Sequence, residues 1–152
     1  MSRNHSADLL QVTSAYPAID NHAHPLLSSA YKDALPLEGI ISEAKGDALT
    51  NDAPTTLAFF RGASQLEQLF RINGSWDDVK EKRASMDYTE LCRRCFDESK
   101  IHCILMDDGL APKEKLENIG WHDQFAKDGA RRIVRIETEA EVRLSWPSQM
   151  EH

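Results

Sequence analysis

The chain is poor in the features that mark secreted, membrane-spanning or nucleic-acid-binding proteins. It has three cysteines in 152 residues. That odd number, behind a start (MSRNHSADLL) with no apolar core or cleavage site of a signal peptide, argues against a disulfide framework. No apolar window approaches the length of a bilayer span. Basic residues are outnumbered, 18 against 25 acidic, for a net charge of −7. Nucleic-acid backbones and anionic membranes select clustered Lys and Arg, and the short basic runs Lys80 to Arg83 and Arg131-Arg132 are interrupted or strand-associated. The expectation is therefore no nucleic acid, no membrane and a cytoplasmic location. Glycine and proline are also sparse, 7 and 6 residues, and 41% apolar with 28% charged residues is an ordinary globular balance, which excludes wholesale disorder.

Against this background one segment stands out for its chemistry, Ile19-Asp20-Asn21-His22-Ala23-His24-Pro25. It closes a short apolar run from Tyr16. In a strand, side chains two residues apart share a face, so Asp20, His22 and His24 are expected to line up. Two imidazoles on one rigid face are what a zinc or similar divalent ion needs as its first two ligands. A pair of surface loop histidines is the alternative, because His-x-His alone is short and common.

Cys92-x-x-Cys95 invites a redox or zinc reading, but the surrounding periodicity speaks against it. Tyr88, Leu91, Cys92, Cys95, Phe96 and Ser99 form one stripe of an amphipathic helix. Buried free cysteine is common in such stripes, and Cys103 sits inside an apolar strand, so core packing is the expectation.

The remaining pattern predicts a helix over residues 6–15, stopped by Pro17, and a first strand over Ala18 to His22. Next come some eighty residues, where a βαβ unit takes about thirty. That excess, residues 25–99, reads as a helical insertion. One helix opens at Pro54-Thr55-Thr56 and runs to Phe70. A second starts at Ser75 with Asp78 as capping partner and ends near Ala84, and a third opens at Asp87 with Glu90 and ends near Ser99. Leu37, Ile40 and Ile41 suggest one short turn. Ile101 to Met106 reads as the second strand, buried on both faces. Helical turns are expected at Lys113 to Asn118 and Trp121 to Ala126, a third strand at Ile133 to Ile136, and a new helix from Glu137 to Glu141. Residues 142–152, interrupted by Trp146-Pro147-Ser148, are expected to be an unstructured tail.

Several of these stretches resemble a known family. PAIDNHAHPLL at Pro17 to Leu27 is similar to the first barrel strand of the metal-dependent amidohydrolase superfamily. Leu35 to Leu49, Cys103 to Leu110 and Gly120 to Glu141 resemble, in order, the amidohydrolase-like region of fungal FluG-type developmental proteins. The resemblance implies an α/β fold that is the first portion, about three strands, of a (β/α)₈ barrel. A whole barrel takes about 250 residues, so residues 1–152 are expected to be a single partial domain, a short form of the family.

In such barrels the site gathers at the C-terminal ends of the strands. The resemblance makes His22 and His24 metal ligands, most simply for zinc, and implies that two further histidines and an aspartate come from later strands. Asp20, Asp107, Asp108, Arg135 and Glu137 are candidates for substrate or second-sphere contacts; for Asp107 and Asp108, capping the turn before Gly109 is the alternative. His122 is expected in a surface loop, and His102 at the far end of its strand. The implied chemistry is attack of metal-activated water on an amide or related carbonyl of a small-molecule substrate. With two ligands present, the chain is expected to bind metal weakly and to be inactive alone, and its uncovered strand edges point to self-association. A non-catalytic interaction or developmental signalling fragment is the alternative.

Overall fold

A computed structural model describes residues 5–109 and 112–144, with side chains described for 8–109 and 112–141. The chain divides into two compact units, one of residues up to Leu26 and from Ile101 on, the other of Leu27–Lys100. Together they make a mixed α/β structure with one parallel sheet and several helices.

The first unit opens with helix α1, His5–Ala15. Its apolar residues Leu9, Leu10 and Val12 are exposed. Three strands follow, β1 (Ala18–Ala23), β2 (Ile101–Met106) and β3 (Ala130–Arg132), paired in parallel in the order β1-β2-β3. In β2 only Ile104 and Met106 are fully buried; Ile101, His102 and Cys103 are half-buried, so the strand is not covered on both faces along its length as its composition suggested. Phe125, Ala126 and Ala130 are buried in the same unit.

The third strand lies earlier than the apolar run Ile133 to Ile136 predicted. Gly129, at φ 75°, turns the chain onto β2, and Ala130, Arg131 and Arg132 pair with Ile104, Leu105 and Met106. The ladder ends as Ile133 N–H donates to the Met106 carbonyl at 2.7 Å. Val134 and Ile136 are exposed beyond it. Ile136 instead opens helix α5, Ile136–Leu144, which runs past the expected end at Glu141. Residues 142–144 are thus helical rather than tail; the expectation for residues 145–152 lies outside the described residues.

β1 contains an irregularity that matters for the site. Asp20 pairs with Ile104 and Ala23 with Met106, so three steps along β1 match two along β2. The extra residue bulges the strand and breaks the simple alternation of faces.

The second unit holds its shape through local signals. Helix α2 (Leu57–Phe70) starts at Thr56, whose hydroxyl accepts from Phe59 N–H; the preceding residues Ala53–Thr55 form a 3-10 turn rather than the start of the helix. Helix α3 (Trp76–Ser85) begins with a reciprocal capping box between Ser75 and Asp78, and α4 (Tyr88–Ser99) with Asp87 accepting from Glu90 N–H. Phe70, Val79 and Leu91 form the core, with Leu66, Leu69, Trp76, Met86 and Cys95 packed on it. Burying each such apolar side chain contributes roughly 1.5–3 kcal/mol. Cys92 is buried and Cys95 half-buried on the α4 stripe, and none of the three cysteines is in a disulfide. Trp76 Nε1–H donates to Glu38 at 2.7 Å, Lys80 pairs with Asp77, and Arg83 with Asp33, so part of the basic run Lys80 to Arg83 serves ion pairs within this unit. No described helix is long and apolar enough to cross a membrane.

Candidate metal centre

Because the strands are parallel, residues at their C-terminal ends share one edge of the sheet. His22 and His24 come from the end of β1, Asp107 and Asp108 follow β2, and Arg135 follows β3. Among the described residues, His22, His24 and Asp107 form a group whose ligand atoms lie within 4.8 Å of one another. The two imidazole centroids are 5.3 Å apart, with planes at 65°. His22 Nε2 lies 3.8 Å from Asp107 Oδ2.

The main chain of Asp107 fixes the second histidine. Its N–H donates to the Ala23 carbonyl at 2.9 Å, joining the ends of β1 and β2. Its carbonyl is 2.9 Å from His24 Nδ1. A carbonyl only accepts, so Nδ1 carries the proton, and in the neutral ring the Nε2 lone pair is left for an electrophile. A metal-ligating histidine is usually oriented by such a bond from its other nitrogen.

The side chain of Asp107 turns to Arg135. Arg135 Nε donates to Oδ1 at 3.0 Å and Nη2 to Oδ2 at 2.5 Å, a two-pronged pairing in which the carboxylate is only 6% exposed. Gly109 N–H donates to Oδ1 at 3.0 Å. A side chain at position 109 would begin 2.9 Å from Arg135 Nε, so glycine admits the guanidinium here. Arg135 and then the Gly109 N–H hold the Asp107 carboxyl down to about 2, against the opposing effect of burial. Asp108 accepts from Arg132 Nε at 3.0 Å and lies 3.6 Å from Lys113 Nζ. Burial alone would raise its pKa, but these cations bring it below the usual carboxylate value. A cavity of about 170 Å³ beside it is lined by Pro25, Lys113, Leu116 and Ile119 among others.

Besides Asp108, which Arg132 and Lys113 hold, two candidates do not join the group. Asp20 was expected to share a face with His22 and His24, but its Oδ1 accepts from the His22 main-chain N–H at 3.2 Å, at the start of the bulge that breaks the alternation. Glu137 is exposed in the first turn of α5, where its charge acts on Arg135.

His122 corrects the sequence reading most sharply. It is fully buried rather than in a surface loop. Its segment, the 3-10 helix Ile119–Gln124, turns the ring inward, with Trp121 edge-on at 5.1 Å. A signal was present in Gly120-Trp121-His122-Asp123-Gln124-Phe125, where Trp121 directly precedes the histidine and Phe125 follows it at the three-residue spacing of a 3-10 turn.

The chain is similar to the protein fluG of Emericella nidulans, with 44% identity over 146 residues. The alignment takes in 91% of this chain and 16% of fluG, so the chain spans a small part of that relative's length. No family profile matches the chain, and no solved structure matches it.

Proposed function

We propose that the sheet edge bearing His22, His24 and Asp107 is part of a divalent-metal site of amidohydrolase type, and that β1 to β3 correspond to the opening strands of a (β/α)₈ barrel. The observation that carries the reading is the His24 ring, held through Nδ1 by the Asp107 carbonyl with Nε2 left to ligate, beside His22 and a buried carboxylate. Two imidazoles and a carboxylate are the donor types of open catalytic zinc sites. The similarity to fluG is consistent with this assignment and does not itself speak to metal or chemistry.

His22 and His24 would hold the ion. Bound there, it would supply a polarised water of lowered pKa for attack on an amide or related carbonyl of a small molecule. Asp107 is shared with Arg135, whose positive charge works against a close second cation, so affinity is expected to be modest. With its carboxyl held at about 2, Asp107 is also a weak proton acceptor at neutral pH. Its role is to orient rather than to take the proton. A working centre needs further donors and a better base than the described residues bring to this edge, so no amide turnover at a useful rate is expected.

Calorimetric titration with Zn²⁺ tests the site. Micromolar or weaker binding, lost in both His22→Ala and His24→Ala, is expected. Binding indifferent to both substitutions would sink the metal reading, and zinc-dependent amide hydrolysis by the wild-type chain would refute its inactivity.

A second reading, an interaction fragment, is favoured by the exposure of Ile19, Val134 and Ile136 and by β1 and β3 each pairing on one side only among the described residues. Light scattering that found a monomer at all concentrations would count against it.

A further inference from the structure

We infer that His122 is a positioning residue for the histidine pair: its ring fixes the main chain at Leu26, and through Pro25 the exit of β1 that carries His22 and His24. This rests on the metal-site reading above, but its geometric part stands without a metal.

Both ring nitrogens of His122 are committed. Nδ1 lies 3.0 Å from the Asn118 carbonyl and must donate to it. Nε2 accepts from the Leu26 N–H at 3.1 Å. One neutral tautomer satisfies both bonds, and a protonated ring would set a second N–H against the Leu26 N–H. The ring is fully buried, and burial works against its protonation. Trp121, itself edge-on to Phe125 at 4.8 Å, packs edge-on against the ring and limits its rotation.

The Leu26 carbonyl is held as well, accepting from Glu117 N–H at 2.9 Å. Both main-chain groups of one residue, two positions after His24, are thus tied to the loop between β2 and β3. The intervening Pro25 is buried, and its ring restricts φ, leaving little slack between Leu26 and His24. His24 is then anchored from two directions, by Asp107 on its ring and by His122 through the chain that follows. A histidine merely filling the core would not need an acceptor aimed at this N–H. An apolar side chain of similar size would fill the space and take away the partner of the half-buried Leu26 N–H.

The test uses three variants of the full chain. In His122→Gln the amide oxygen can take the place of Nε2 as acceptor. His122→Asn reaches only the Asn118 side, and His122→Phe keeps a ring without an acceptor. In metal-free protein, exchange of the Leu26 amide should quicken in the Phe and Asn variants and stay slow in the Gln variant. Zn²⁺ affinity should fall about tenfold or more in Phe and Asn, as for outer-sphere partners of metal ligands, and stay near wild type in Gln. Wild-type Leu26 protection and Zn²⁺ affinity in folded His122→Phe would overturn the inference. Should that variant fail to fold, equal behaviour of the Gln and Asn variants overturns it instead. A wild-type chain that takes up no Zn²⁺ would remove the metal reading, while the Leu26 exchange pattern would still decide the positioning role.

Discussion

The helical unit, Leu27–Lys100, and the strand-bearing unit rest on different kinds of contact. In the first, each of α2, α3 and α4 carries its own start signal within four residues, and the three helices meet over Phe70, Val79 and Leu91. In the second, the defining contacts join residues far apart in sequence: Ala23 to Asp107, His24 to Asp107, Leu26 to His122, Asp107 to Arg135. The first is secured by caps and apolar packing. The second adds long-range polar ties to its own buried core of Ile104, Met106 and Phe125, and those ties are what bring the candidate ligands together.

Core truncations probe this contrast with the largest expected effects. Phe70→Ala should cost about 3–5 kcal/mol and Ile104→Ala about 2–5 kcal/mol in urea unfolding. The first loss should be read at amides of α2 to α4, and the second at amides of β2. A negligible cost at Phe70 would show that the helical core is not close-packed around it.

Asp107→Asn comes next, and its signature is pH dependence. The carboxyl titrates at about 2 in the folded chain against an ordinary 3.8. A folded pKa below the unfolded one means stabilisation that is complete above 3.8 and is lost as pH falls toward about 2. The wild-type chain should therefore lose stability across that window more steeply than Asp107→Asn, and the variant should be the less stable of the two at neutral pH. Parallel acid limbs in urea midpoints measured over the window would show that the Arg135 pairing contributes nothing.

The smallest effect belongs to a cap. Ser75→Ala removes the acceptor for Asp78 N–H at the start of α3 and should cost about 1 kcal/mol. Thermal unfolding indistinguishable from wild type would mean that water or Asp78 replaces the serine without loss.

The same contrast explains what the sequence made legible. The helix starts at Ser75 and Asp87 and the stripe through Leu91, Cys92 and Cys95 could be read because the forces that set them act over three or four residues. The second strand was legible too, since Ile101 to Met106 is an uninterrupted β-rich run. The third was not, because its register is set by Gly129 and by pairing with β2, and the apolar run that pointed to it lies just beyond. At the site, the closeness of His22 and His24 was readable from their spacing. The departure of Asp20 was not, since a bulge depends on the partner strand. The bond from Leu26 N–H to His122 and the pairing of Asp107 with Arg135 join residues 96 and 28 apart. No local pattern encodes contacts of that range.

Asp107 has one more consequence, for how mutational tolerance at this edge should be read. Its main chain serves Ala23 and His24, and its side chain serves Arg135 and Gly109. Any residue except proline supplies the same N–H, and every residue supplies the same carbonyl. A saturation scan at position 107 therefore samples only the side-chain half of the junction. Should the scan find the position permissive, the orientation of His24 would remain untested, because the bond that sets it belongs to the backbone and is invisible to the genetic code.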